Sequence, residues 1–392
     1  MPDTAAHPFD ALTADAMRAG GSWKWSGQGV GDGVDRHGRP LIGAFVAEMD
    51  FPTAGPVVEA VRASAGASQF GYLADAWVAD LAAACAAFWA DRFGWSVDPE
   101  RIRPVPDVMT ALVATIEHFT PPGTPVLLPT PAYMPFLTVP GRLGREMVPV
   151  PMTAAPFALD LDALDAAFVS SGAKLLVLTN PHNPTGRVFT RDELRAVTAV
   201  VERHGARVFA DEIHAPLVFD GRAHVPYAST SEAAAAHTVT ATSASKAWNL
   251  PGLKCGQVIL SNAADAARWS ERGYLAEHST ATPGVLASTA AYAHGRAWLD
   301  DVLAYLDGNR ALLRDAPLPG VGKEIPEGTY LAWLDASGLG LDEPPSAFFA
   351  REAGVVLTDG ALCGGPGGMR LTLATARPVL AEALERMAAA LS

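Results

Sequence analysis

Short apolar runs punctuate the middle of the chain. "PVLLPT" (125–130), "AKLLVLTN" (173–180), "ARVFADE" (206–212), "HTVTATS" (237–243) and "GQVILS" (256–261) suit strands buried on both faces. Helical patterns separate several of them. In "TRDELRAVTAVVERHG" Thr190 and Glu193 form a capping box and Gly205 closes the helix. Strands alternating with helices predict an α/β fold, a mostly parallel sheet sandwiched by helices. The pattern changes after residue 280. A long helix near 296–315 precedes two further runs, "TYLAWLD" (329–335) and "MRLTLAT" (369–375), and a final helix. That reads as a second, smaller α+β domain. The first 50 residues, rich in Gly and Trp, fit no parallel strand. The expected division is therefore 51–280 for the large domain and 1–50 with 281–392 for the small one.

Composition narrows the classes. The 392 residues are 49% hydrophobic and 18% charged, enough for globular cores. A net charge of −13 argues against nucleic acid as the main partner, since phosphate neutralisation needs a basic face. Cys85, Cys255 and Cys363 are odd in number and far apart, which points to a reducing compartment rather than a disulfide framework. "MPDTAAHPFDALTADAM" has no apolar core, so no signal peptide is expected, and no run reaches membrane length. These features predict a cytoplasmic protein.

Ligands of open α/β sheets sit beyond the carboxyl ends of the strands, and here those ends carry chemistry. One run leads through Asn180 into "PHNPTG", one ends in Asp211-Glu212, and one reaches Ser243, three residues before Lys246. The chain has only five lysines, at 24, 174, 246, 254 and 323, against twenty-four arginines. Lys can lose its proton when desolvated and Arg cannot, so a lysine kept at a strand end is a candidate nucleophile or base. A surface lysine is the plain alternative. A carboxylate, an amide and a lysine at one sheet edge suit pyridoxal 5'-phosphate, whose ring nitrogen needs an acid and whose ring hydroxyl needs a donor. A phosphate would rest on a helix N-terminus, and "VPDVMTALVATIEHF" supplies one, with Thr110 in its first turn. Tyr133 in "PTPAYMPF" could stack on the ring. Asp211, Glu212 and His214 could instead be metal ligands, but no second cluster has ligand spacing. "GQGVG" and "GGPGG" do not lie between strand and helix and read as turns. Trp23 and Trp25 could wall a site entrance.

"NPHNPTG" (180–186), "ADEIH" (210–214), "SASK" (243–246) and the Arg of "RLTLAT" (370–375) resemble, in order, the motifs of the aminotransferase class I/II family of fold-type I pyridoxal-phosphate enzymes. "FVAEMDFPTAGPVVEA" (45–60) and "FGY" (70–72) are similar to its MalY/PatB-type carbon–sulfur lyase branch, the cystathionine β-lyases. The resemblance implies a homodimer with active sites at the interface and a small amino-acid substrate. It implies Lys246 as the Schiff-base lysine that also moves the Cα proton, Asp211 at the pyridine nitrogen, Asn183 at the ring hydroxyl and Tyr133 on the ring. Ser243 and the backbone of Val108 and Met109 would hold phosphate, Tyr72 would reach a phosphate across the dimer, and Arg370 would grip the substrate carboxylate. Departures from the family pattern are Lys254 for an Arg, Asp107 for a phosphate-loop Gly, Thr372 for an Asn and His214 for a Tyr. Asp107 is expected to cap its helix facing away from the phosphate. The implied activity is β-elimination from cystathionine or cysteine S-conjugates to thiol, pyruvate and ammonia. Transamination is the first rival and a non-catalytic regulatory or binding protein the second. A nicotinamide dehydrogenase lacks its glycine fingerprint here.

Overall fold

The computed structural model describes residues 7–392; residues 1–6 of the segment read as lacking a leader lie outside the described residues. Seven strands form the main sheet: β1 (Ile102–Val105), β2 (Val126–Thr130), β3 (Met147–Pro151), β4 (Leu175–Thr179), β5 (Arg207–Asp211), β6 (Thr238–Thr242) and β7 (Gly256–Leu260). Their order is β1-β7-β6-β5-β4-β2-β3. Strands β2 to β6 pair in parallel, while β7 and β1 run antiparallel at one edge. The five apolar runs all form strands. The two strands the pattern did not reveal, β1 and β3, lie at the sheet's edges and contain proline, which has no N–H for a central ladder.

Helices cover both faces. Val108–Phe119 buries Ala111, Leu112 and Ile116 with Val239 and Val258 on one side, and Arg191–Arg203 buries Leu194, Val197 and Val201 with Leu176 and Val208 on the other. The expected capping box is present: Thr190 accepts from the Glu193 N–H, and Glu193 accepts from the Thr190 N–H. Gly205 follows that helix at φ +53°.

The smaller sheet has β8 (Gly322–Glu324), β9 (Leu331–Asp335), β10 (Thr358–Asp359) and β11 (Gly368–Thr372) in the antiparallel order β10-β11-β9-β8. The helix Arg377–Ala390 packs on it. The N-terminal segment joins this body, with Ile42–Gly43 running parallel to Val355–Val356. Just past the expected break at residue 280, the helix Thr282–His294 shares the core of Gly55–Gly66 and Asp75–Phe93. The long helix Arg296–Asp315 spans both cores, burying Leu299, Val302 and Leu306 in one and Leu313 in the other. Among the described residues no helix is long and apolar enough to cross a membrane, and no cluster of His, Cys, Asp and Glu could hold a metal.

Candidate active site

In β4 and β5 Thr179 is level with Asp211, and in β5 and β6 Asp211 is level with Ala241. Three parallel strands thus end together, and the segments that leave them meet at one cavity of about 620 Å³, a size suited to a cofactor with its substrate. Lys246, Asp211, Asn183, Tyr133, Ser243, Lys254, Val108, Met109, His214 and Arg370 all line it. Tyr72 does not. It is 86% exposed and stacks on His278 at 5.4 Å, away from this cavity.

Asp211 is buried at the end of β5, and one of its oxygens accepts from the Ile213 N–H at 3.2 Å. Burial pushes its carboxyl up to about 7, against the opposing hydrogen bond. Lys246 lies in the short helix Ala244–Ala247 and donates from Nζ to the Ala47 carbonyl at 2.7 Å. Burial, reinforced by the Arg370 cation, brings its amine down to about 8. The site therefore disfavours both charges when nothing else is bound.

Arg370, on β11, donates to Phe45 O at 2.8 Å and to Asn183 Oδ1 at 3.2 Å. Its Nε has no partner although it is buried, and burial lowers the pKa of the guanidinium. His214 is 1% exposed and neither ring nitrogen has a partner; burial holds it neutral. Its neighbour Glu212 is engaged elsewhere, accepting from Tyr227 N at 2.7 Å and meeting His224 Nε2 at 3.2 Å. The metal reading of this trio has no geometry to rest on. Buried polar groups are normally paired, so orphaned nitrogens on His214 and Arg370 in one cavity mark places for polar atoms of a ligand.

The anion end is the start of the helix Val108–Phe119. Asp107 caps it, accepting from the Thr110 N–H and hydroxyl, both at 2.9 Å. Its other oxygen faces Lys254 Nζ at 3.1 Å. Burial alone would raise the Asp107 carboxyl, but the bonds from Thr110 and Lys254 outweigh it and hold it low. The two departures at 107 and 254 are thus one ion pair. The Thr110 hydroxyl is spent on the cap, which leaves the Val108 and Met109 amides as the orphan donors of the first turn. The Ser243 hydroxyl donates to Cys255 O at 2.7 Å and accepts from Ser245 N at 3.0 Å, so a phosphate would have to displace Cys255 to receive it.

A buried carboxylate, a poorly solvated amine, an aromatic ring at Tyr133 and a helix N-terminus fit a planar phosphorylated pyridine. The reading of strand ends did not find Ser245, Gln28, Phe45, Ala47 and Asp359, which also line the cavity. Phe45 and Ala47 contribute carbonyls, which no residue type advertises. Trp23 lines the cavity as anticipated, but Trp25 does not: it is buried in the smaller core and donates to Asp50 at 2.7 Å.

Residues 44–387 match the model of the family "aminotransferase class I and II". A cystathionine β-lyase of Corynebacterium glutamicum is 38% identical over 354 residues, 90% of this chain and 94% of its own. The cystathionine β-lyase PatB of Bacillus subtilis is 33% identical over 384 residues, 95% of this chain and 97% of its own. The crystal structure of the PLP-bound C-S lyase from Staphylococcus hominis is 26% identical, with a TM-score of 0.87 over 99% of each chain. The chain belongs to the aminotransferase class I and II family.

Proposed function

We propose that this protein is a pyridoxal-phosphate-dependent carbon–sulfur β-lyase that cleaves cystathionine or a cysteine S-conjugate to a thiol, pyruvate and ammonia. One observation carries the reading: a buried acid (Asp211), a lysine with a lowered pKa (Lys246) and a buried guanidinium with an unpaired Nε (Arg370) converge on one cavity at the strand ends. The similarity to cystathionine β-lyases and to a PLP-bound C-S lyase sets the reaction. When bound, the cofactor supplies an electron sink for the pair left at Cα on deprotonation. Asp211 would hold a proton on the pyridine nitrogen, and Asn183 and His214 would meet the ring hydroxyl. Tyr133 would cover the ring. Val108 and Met109 N–H groups and Lys254 would hold the phosphate. Arg370 would bind the substrate α-carboxylate, and Lys246, as a neutral amine, would take the Cα proton. The thiolate would leave Cβ with the C–S electron pair as the Cα–Cβ double bond forms, and water would hydrolyse the released 2-aminoacrylate to pyruvate and ammonia.

Product analysis tests the reading. Cystathionine or S-ethylcysteine should yield pyruvate, ammonia and thiol continuously with no 2-oxo acid added. If turnover instead requires a 2-oxo acid, which becomes an amino acid, the enzyme is an aminotransferase.

The phosphate end makes a second expectation. Removing the Lys254 ammonium leaves the Asp107 carboxylate uncompensated beside an incoming phosphate. Lys254→Met should weaken cofactor binding by about tenfold, the scale of one partly screened charge pair. Asp107→Asn in that background should recover most of the loss, because Asn still caps the helix. Titration of cofactor-free protein by absorbance reads both values; equal affinities in all three proteins would separate Asp107 and Lys254 from phosphate binding.

The reading extends to a cytoplasmic homodimer. Tyr72 and Tyr274 are exposed and each stacks on His278 beside one groove, and Tyr72 would reach the neighbour's phosphate from there. Sedimentation of a fully active monomer would remove this part.

A further inference from the structure

Residues 44–54 have almost no regular secondary structure, so side chains from elsewhere fix their course. Phe45 O accepts from Thr358 Oγ1 at 2.7 Å and from Arg370 at 2.8 Å. Ala47 O accepts from Lys246 Nζ at 2.7 Å and from the Tyr330 hydroxyl at 3.0 Å. The Asn249 amide then clamps the next residues. Its Oδ1 accepts from Met49 N at 3.0 Å, and its Nδ2 donates to Met49 O at 2.9 Å and to Phe51 O at 3.2 Å. Further along, Thr53 Oγ1 donates to Trp248 O at 2.5 Å, and Asp50 holds Lys24 and Trp25 at 2.7 Å each. One irregular ribbon thus presents two carbonyls, two residues apart, to Arg370 and to Lys246.

We propose that the Ala47 carbonyl is the docking point of the free Lys246 amine, and that Asn249 and Tyr330 are positioning residues that hold this carbonyl in place. The proposal rests on the reading of Lys246 as the lysine that carries the Cα proton. A carbonyl accepts a charge-assisted bond from an ammonium more strongly than a neutral bond from an amine. Docking therefore favours Lys246 after it has gained the proton, and aims the amine when it has none. A carbonyl has two lone pairs, so the Tyr330 hydroxyl can pin the oxygen without displacing the lysine. Asn249 sits three residues after Lys246 with φ +58°, a left-handed conformation that Asn tolerates better than most residues. It thereby ties the lysine's own turn to the ribbon that receives the lysine. The other groups that act on the amine are the cations Arg370 and Lys254 and the carboxylates Glu48 and Asp211. All four are retained in the variants below.

Asn249→Gly removes the three side-chain bonds without straining the left-handed backbone, and Tyr330→Phe removes the second donor while keeping the buried ring. In cofactor-free protein, the pH dependence of Lys246 acylation by acetic anhydride, read by peptide mass spectrometry, gives the lysine's titration. Asn249→Gly should move it down by about one pH unit, the scale of one charge-assisted bond. In the loaded enzyme kcat should fall about 10- to 100-fold with KM little changed, and the α-deuterium isotope effect should rise, since misaiming the base makes proton transfer limiting. Tyr330→Phe should move each readout the same way by less. A lysine that titrates in both variants as in the parent overturns the proposal, as does unchanged turnover. The titration needs neither cofactor nor substrate. A failed product assay therefore removes the lyase reading, whereas an unshifted titration removes the docking point.

Discussion

Asp211→Asn is expected to keep the fold and the cofactor but to lose turnover by about three orders of magnitude, the upper range for one preorganised electrostatic contact. The amide is the same shape, and its Oδ1 can still accept from the Ile213 N–H. It cannot hold a proton on a pyridine nitrogen by charge, so the stabilisation of the electron pair at Cα is lost while binding of the ring largely remains. A second readout comes from the cofactor-free protein. Burial raises the Asp211 carboxyl from 3.8 to about 7, so folding disfavours its ionised form. That penalty is absent below pH 4, grows as pH rises and is complete above pH 7. A shift of that size corresponds to about 4 kcal/mol. Cofactor-free Asp211→Asn should therefore be more stable than the parent at pH 8 and equal to it near pH 4, by denaturant unfolding. A variant that turns over near the parental rate removes Asp211 from the mechanism. Equal stability at pH 8 would mean that the carboxylate finds more water than its position suggests.

The readable parts of this protein are those where periodicity or residue type carries the information. Apolar runs become β2, β4, β5, β6 and β7 because a strand covered on both faces buries nearly every position, so solvent imposes no alternation on it. β1 and β3 are edge strands with no aliphatic run, since Arg103-Pro104 breaks one and Pro149 and Pro151 break the other, whereas β2 keeps Val126-Leu127-Leu128 ahead of its Pro129. The break in pattern at 280 marks the end of strand–helix alternation, and packing of the core continues beyond it. The helix Thr282–His294 still packs on the large body through Val285, Ala287 and Ala291. At the site, residues at strand ends were legible since topology alone collects them. The ribbon 44–54 was not, because its contacts use backbone carbonyls and its partners Asn249, Tyr330 and Arg370 lie 200 to 325 residues away. Asp107 and Lys254 each looked like a defect when read singly. They compensate one another across a separation of 147 residues.

Lys246→Met should abolish turnover, with a loss of at least about four orders of magnitude, and should at the same time stabilise the cofactor-free protein. Methionine fills a similar volume and cannot take a proton. Lys246→Arg should be as inactive, for a different reason: the guanidinium keeps its proton at any working pH. Together the two variants separate charge from proton transfer. The stability change follows from burial. The Lys246 amine is lowered from 10.5 to about 8, so the folded protein disfavours its charged form. That penalty is full below pH 8, fades from pH 8 to 10.5, where the folded amine gives up its proton while the unfolded one keeps it, and is gone above about pH 11. It amounts to about 3 kcal/mol, from which the lost hydrogen bond to Ala47 takes about 1. Cofactor-free Lys246→Met should thus unfold about 2 kcal/mol later than the parent at pH 7, an advantage that shrinks in alkaline solution. The arginine variant keeps a buried charge and gains nothing. If Lys246→Met instead retains turnover within a hundredfold of the parent, another group moves the proton. If it is destabilised at pH 7, the amine is solvated in the folded protein and burial does not lower its pKa. A lysine that weakens the fold until a ligand arrives is expected where stability has been exchanged for reactivity.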